Sequence, residues 1–133
     1  MKDIALINNK FFENGENFGI GIDIENVDRF REKNRVNLSA FLNKIFTKKE
    51  LDYCFSKVDP ASCLAVRYSG KEAVVKAICS LSNIKLSQLN YNKIEILNDE
   101  RGVPEVKLNI KNIGEVKIKI SLSTHQNFQY LLP

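Results

Sequence analysis

Several common functional signatures are missing from this 133-residue sequence. It has no Gly-x-x-x-x-Gly-Lys-Ser/Thr loop and no Gly-x-Gly-x-x-Gly fingerprint, so a P-loop or a dinucleotide-binding turn is not indicated. No apolar run approaches the roughly 20 residues that a membrane-spanning helix requires. The first residues, Met1-Lys2-Asp3-Ile4-Ala5-Leu6-Ile7, lack the long apolar stretch and small-residue cleavage site of a secretion signal, and a cytoplasmic location is expected. There is a single histidine, His125, and no Ser–His–Asp or Cys–His arrangement is recognisable around it. The three cysteines, Cys54, Cys63 and Cys79, are an odd number without metal-type spacing. They read as reduced core thiols rather than disulfide staples. Internal repeats, linkers and low-complexity tracts are absent as well.

What is present describes a soluble globular chain. The composition is 44% apolar and 27% charged, and the length suits one domain with a real core. The net charge of +4 is mild but unevenly spread. Between Asp28 and Lys49, seven cations (Arg29, Arg31, Lys33, Arg35, Lys44, Lys48 and Lys49) stand against Asp28 and Glu32, an excess of five in 22 residues. Such a stretch suits an anionic partner, whether nucleic acid, nucleotide or acidic protein, but equally a solvated helix face.

Residues 1–17 are turn-rich and read as an extension ahead of a single domain over 18–133. Phe18-Gly19-Ile20-Gly21-Ile22-Asp23-Ile24 alternates as a half-buried strand does, with the isoleucines on one face and the glycines and Asp23 on the other. The glycines leave room for a close backbone approach. Val27 and Phe30, then Leu38, Phe41, Leu42 and Ile45, repeat at helical spacing. Thr47-Lys48-Lys49-Glu50 is a capping box opening a short helix through Phe55. Asp59-Pro60 opens a longer helix to about Cys79, with Leu64, Tyr68, Val75 and Ile78 as its apolar stripe. One helical turn is expected near Leu86–Leu89. A β-meander follows: Ile94 and Ile96, a turn at Asn98–Gly102, Val106 to Ile110, a turn at Asn112–Gly114, Val116 to Leu122, and a last strand near Phe128–Leu132. The expected class is α+β, helices packed on a mostly antiparallel sheet.

Two carboxylates have unusual settings. Asp23 lies within a strongly apolar strand, where a carboxylate calls for a cation or a metal, although an ordinary polar-face aspartate fits too. Glu72 lies in Arg67-Tyr68-Ser69-Gly70-Lys71-Glu72-Ala73-Val74-Val75-Lys76, where Glu72–Lys76 also reads as a simple i,i+4 ion pair. If Asp23 and Glu72 meet in space, two carboxylates and water make a Mg²⁺ site open to substrate phosphates. Arg67, Lys71 and Lys76 would then neutralise those phosphates.

Taken in order, these segments resemble the holo-[acyl-carrier-protein] synthase family of 4′-phosphopantetheinyl transferases. The resemblance is carried by Gly19-Ile20-Gly21-Ile22-Asp23-Ile24-Glu25 with Arg29-Phe30, by Phe46-Thr47-Lys48-Lys49-Glu50-Leu51, and by Arg67 to Ala77. It continues through Asn98-Asp99-Glu100-Arg101-Gly102-Val103-Pro104 and Ile120-Ser121-Leu122-Ser123-Thr124-His125, so it spans about residues 18–125. It implies the α+β fold of that family, usually a homotrimer with active sites between subunits. It implies Mg²⁺ held by Asp23 and Glu72, and coenzyme A contacted by Lys76 and Arg67, by Lys71 more weakly, and by His125. Arg29 is implied to dock the acidic acyl carrier protein. Glu72 is the expected base for the carrier serine, with Lys76 beside it in the catalytic set.

Two other readings stand beside the enzyme. After Ala77 the family has a Gly-Thr-Gly-like turn where this chain reads Ile78-Cys79-Ser80-Leu81-Ser82-Asn83, which suits a non-catalytic relative that binds coenzyme A or a carrier protein. A nucleic-acid-binding domain would want aromatics interleaved with cations on an exposed face. Phe30, Phe41 and Phe46 instead occupy core-like positions, and no nucleic-acid or membrane partner is expected.

Overall fold

The computed structural model describes residues 18–31, 35–81, 84–111 and 116–124. The expected extension over 1–17, the turn at 112–114 and the strand near 128–132 lie outside these residues, as does His125. Four helices come first: α1 (Asp28–Arg31), α2 (Arg35–Ile45), α3 (Lys48–Phe55) and α4 (Pro60–Leu81). Two 3₁₀ turns, Leu86–Gln88 and Tyr91–Lys93, lead into β1 (Ile94–Asn98) and β2 (Pro104–Leu108). The fold is α+β, with helices packed against a small antiparallel sheet.

Local chemistry sets the helix starts. Thr47 and Glu50 form the capping box: the Glu50 N–H donates to Thr47 Oγ1 at 3.3 Å, and the Thr47 N–H donates to Glu50 Oε2 at 2.8 Å. Asp59 caps α4 by accepting from the Ser62 N–H at 3.5 Å, and Pro60 fills the first helical position, where no N–H is needed. The 22 residues of α4 make it the axis of the domain. Leu64, Tyr68, Val75 and Ile78 are all buried as the apolar stripe requires. Ala61, Cys63, Ala65, Arg67, Gly70, Lys71 and Val74 are buried too, so α4 is covered on more than one face.

Two core clusters flank α4. Val27, Phe30, Leu42, Phe46, Leu64 and Tyr68 pack the shorter helices against its first half. Phe30 is the hub, with ring centroids 6.1 Å from Phe41, 6.4 Å from Phe46 and 5.8 Å from Tyr68. Val74, Val75 and Ile78 meet Ile94 and Ile96 of the sheet in the second cluster. The β1–β2 ladder pairs Ile96 with Val106, and its turn uses Gly102 at φ +83°, a left-handed conformation that glycine adopts without steric cost.

Three expectations change. The stretch 116–124 keeps its alternation, with Ile118, Ile120 and Leu122 packed on the second cluster, but it carries no ladder among the described residues. Alternation records which face is buried, whereas a ladder also needs a partner strand in register. Phe18–Ile24 likewise carries no ladder, and its buried face is the polar one: Ile20, Ile22 and Ile24 are 73%, 77% and 91% exposed. Finally, Cys54 and Cys63 are joined as a disulfide with Cα atoms 5.3 Å apart, which corrects the reading of reduced thiols. The packing of α3 on α4 brings these two positions face to face. Cys79 remains a free thiol.

Candidate functional site

The glycine face of 18–24 lies directly on α4. A Cβ on Gly21 would run into the Ala73 carbonyl, and one on Gly19 into the Ala77 carbonyl. Only glycine allows this approach, because a backbone carbonyl cannot move aside as a flexible side chain can. Ser69 Oγ then donates to the Asp23 carbonyl at 2.9 Å. The segment therefore descends α4 as it advances, from Ala77 through Ala73 to Ser69. Two extended residues rise about 6.8 Å and four helical residues about 6 Å, so the two periods stay nearly matched.

This match delivers Asp23 to the face of α4 that carries Ser69, Glu72 and Lys76, spaced i, i+3 and i+7. Lys76 Nζ donates to Asp23 Oδ1 at 2.9 Å and to the Ile22 carbonyl at 3.1 Å. Glu72 is half-buried, in the neighbourhood of Tyr68 and Tyr91, whose rings stack at 6.0 Å. Burial is the largest cause pushing both phenols' pKa values up, and the Glu72 carboxylate adds to it. Asp23 adds a smaller contribution in the same direction at Tyr91.

The donor set suits a hard divalent ion. Mg²⁺ is held by one or two carboxylates and keeps several waters, or takes phosphate oxygens in their place. Among the described residues no group of three or more His, Cys, Asp or Glu is assembled, and Asp23 and Glu72 are the carboxylates of this face that could hold such an ion.

The other expected residues fall into different places. Arg67 is only 3% exposed. Its guanidinium donates to the Ile96 carbonyl at 3.1 Å, to Asn98 Oδ1 at 3.2 Å and to Cys63 Sγ at 3.2 Å. Burial pushes its pKa down. Its edge lines a cleft of about 320 Å³ together with Asn98, Gly102, Ser121, Ser123 and Thr124. The three bonds named use three of its five N–H donors. Arg29 pairs with Glu25 at 3.2 Å, and its guanidinium lies over the rings of Phe41 and Tyr68 at 5.4 and 5.0 Å.

Lys71 is a correction. It is 0% exposed and pairs at 2.7 Å with Glu50, also 0% exposed. It donates as well to the Ile45 carbonyl at 2.7 Å and the Tyr91 carbonyl at 3.0 Å. An ammonium has three protons, and here all three are engaged, so Lys71 has none for a ligand phosphate. Being one residue from Glu72 puts it about 100° around the helix, toward the core. The basic stretch is also partly neutralised, since Arg31 pairs with Asp59 at 2.7 Å and Lys48 with Asp52 at 3.1 Å.

Sequence reasoning passed over Ser69, Tyr91 and the polar end of Tyr68. Tyr68 stands four residues before Glu72, which was a usable signal. Tyr91 is 19 residues away in sequence, and only packing brings it in. After Ala77 the helix simply continues to Leu81.

An α+β domain with an aspartate–lysine pair on the face of its long helix that also carries a glutamate, and with a separate cleft edged by an arginine, is compatible with a phosphate-handling transferase. Comparison with known proteins identifies which. The family model of the 4′-phosphopantetheinyl transferase superfamily matches residues 19–130. A holo-[acyl-carrier-protein] synthase of Chlorobaculum parvum is 40% identical over 107 residues, covering 80% of this chain and 89% of that protein. The crystal structure of the holo-ACP-synthase of Plasmodium yoelii aligns with a TM-score of 0.63 at 30% identity, covering 81% and 85% of the two chains. An ACPS–CoA complex from Chronobacterium ammoniagenes aligns with a TM-score of 0.61 at 25% identity, covering 72% and 74%. The chain belongs to the holo-[acyl-carrier-protein] synthase family of 4′-phosphopantetheinyl transferases.

Proposed function

We propose that this chain transfers the 4′-phosphopantetheine arm of coenzyme A to a serine of an apo acyl carrier protein, with Mg²⁺, releasing 3′,5′-ADP. The observation that supports this reading is the seating of Gly19 and Gly21 on α4, with Asp23 paired to Lys76 on the helix face that also carries Glu72. The serine oxygen forms a bond to the β-phosphorus, the bond from that phosphorus to the oxygen of 3′,5′-ADP breaks, and the hydroxyl proton passes to Glu72 directly or through a water. The leaving group is already a stable phosphate anion and needs no strong acid. Held between Asp23 and Glu72, Mg²⁺ would supply charge neutralisation for the pyrophosphate. Lys76 adds positive charge at the same place. Arg67 in its cleft, and His125, next in sequence to Thr124, are assigned to coenzyme A. Arg29 is assigned to carrier docking.

The exposed row of Ile20, Ile22 and Ile24 supports assembly into the homotrimer expected of the family, since such a row is otherwise left in water. No helix among the described residues is long and apolar enough to cross a membrane, and the cytoplasm is the proposed place of action, in fatty acid biosynthesis. Ile22→Glu, read by size-exclusion chromatography with light scattering, is expected to dissociate the assembly. An unchanged mass would move the interface elsewhere.

The test of activity is intact-mass spectrometry of apo acyl carrier protein incubated with this protein, coenzyme A and Mg²⁺. A gain of about 340 Da that vanishes with EDTA supports the transfer and its metal dependence. No gain on several carriers, with coenzyme A binding demonstrated, would make the chain a non-catalytic binder.

A further inference from the structure

We propose that Asn98 and Tyr53 are positioning residues that fix the Arg67 guanidinium at the wall of the cleft, for an anionic part of coenzyme A. The ligand rests on the transferase reading, whereas the frame around Arg67 is a property of the fold. Every nitrogen of the guanidinium is engaged. Nε donates to the Ile96 carbonyl at 3.1 Å, Nη1 to Cys63 Sγ at 3.2 Å and Nη2 to Asn98 Oδ1 at 3.2 Å. The guanidinium also lies over the Tyr53 ring, 4.3 Å from its centroid. Asn98 Nδ2 donates in turn to the Tyr53 hydroxyl at 3.1 Å. The acceptors keep the group from turning in its own plane, and the ring beneath keeps it from tilting.

These partners come from three elements: Tyr53 from α3, Cys63 from α4 itself, and Ile96 and Asn98 from β1. The Cys54–Cys63 disulfide ties the residue after Tyr53 to the residue one turn before Arg67. The stacked ring and the arginine therefore stand on either side of one covalent link. Asn98 closes β1, opposite Pro104 across the turn, and lines the same cleft as Arg67. Its amide thus joins α3 through Tyr53, α4 through Arg67, and the cleft.

A long, flexible cation that must be ordered when a ligand arrives weakens binding, and one already held does not. Ser121, Ser123 and Thr124 line the cleft as well. Hydroxyls together with a fixed, planar cation suit phosphate oxygens. The lining holds none of Asp23, Glu72 and Lys76. The frame therefore acts on affinity for coenzyme A and not on turnover of the bound substrate.

The test is Asn98→Ala, Tyr53→Phe and the double variant; Tyr53→Phe keeps the stacked ring and loses only the hydroxyl. Calorimetric titration with 3′,5′-ADP, without Mg²⁺ or carrier protein, is expected to give a Kd about tenfold higher in Asn98→Ala. A smaller rise is expected in Tyr53→Phe. The Tyr53 hydroxyl acts through Asn98, so the double variant is expected to be no worse than Asn98→Ala. In turnover, KM for coenzyme A is expected to rise by the same factor, with kcat within about twofold. The second readout is the Arg67 ¹⁵Nε–¹Hε resonance of the ligand-free protein, assigned by its loss in Arg67→Lys. That resonance is expected to shift, and its proton to exchange faster with water, as the frame loosens. If Asn98→Ala does not fold, Tyr53→Phe carries the same readouts. An unchanged Arg67 resonance in the folded variants, an unchanged Kd, or a fall in kcat at constant KM would overturn the frame. If the unsubstituted chain binds neither 3′,5′-ADP nor coenzyme A, the coenzyme A reading of the cleft fails, and the resonance alone still decides the frame.

Discussion

Replacing Lys71 with methionine removes the cation from a point where five segments meet. Lys71 comes from α4, Glu50 from the first turn of α3, the Ile45 carbonyl from the end of α2, and the Tyr91 carbonyl from a 3₁₀ turn. Glu50 Oε1 accepts from the Ile96 N–H of β1 at 2.7 Å. Methionine fits the aliphatic stem but leaves Glu50 as a buried carboxylate without counter-charge, and two carbonyls short of a donor. Removing one partner of a buried ion pair costs about 3–5 kcal/mol. An unfolding entropy of about 2.1 cal/mol/K per residue, taken over the chain, converts this to a fall in Tm of roughly 10–18 °C. The assay is calorimetric melting near pH 7, with KM for coenzyme A measured at 15 °C. Tm is expected to fall by that amount while KM stays within twofold. Adding Glu50→Gln, which discharges the orphaned carboxylate, is expected to recover part of the loss, so the two changes combine to less than their sum. A Tm within about 3 °C of the parent, or a severalfold rise in KM without loss of stability, would refute the structural role and return Lys71 to the ligand.

Gly21→Ala places a methyl against the Ala73 carbonyl, pushing Asp23 off α4. Activity is expected to fall about 100-fold with a much smaller change in melting temperature, and near-parental activity would show that the close approach does not set Asp23. The Arg31 hydrogen bonds, aided by Ser62 and opposed by burial, hold the Asp59 carboxyl below its usual pKa. A carboxylate with a depressed folded-state value binds fewer protons in the native state, so its contribution is present above about pH 4 and lost as the pH falls further. Asp59→Asn keeps a good helix cap but removes the charge, and is expected to lower stability at pH 7 and flatten its acid dependence in urea titrations from pH 7 to 3; an unchanged slope would show that the pair contributes nothing. Arg29→Ala is expected to raise KM for the carrier protein severalfold, with a lesser change in kcat, and to weaken the salt dependence of the reaction. An unchanged KM at low ionic strength would place the docking surface elsewhere.

Local rules alone settled much of the helical layer. The capping box at Thr47–Glu50 and the Asp59-Pro60 start are contacts within one turn, so neighbouring residues decide them, and both helices begin where those residues dictate. The stripe of Leu64, Tyr68, Val75 and Ile78 fixed which positions of α4 go inward, because burial follows period. The order of motifs was also enough to recognise the family. Other features needed the third dimension. Alternation in Phe18–Ile24 could not say which face is buried, since either face satisfies the period; the glycines won because they alone fit against the α4 backbone. Lys71, Lys76 and Arg67 are equivalent cations in sequence, yet burial gives Lys71 to Glu50, leaves Lys76 on Asp23 and sets Arg67 under a cleft. Cys54 and Cys63 showed no pairing signal, because their facing depends on how α3 packs on α4. Tyr91 stacks on Tyr68 only because the chain returns along α4 after its end. Sequence fixes what is decided within a few residues, while partners distant in the chain are chosen by packing, where burial makes each charge find the one counterpart within reach.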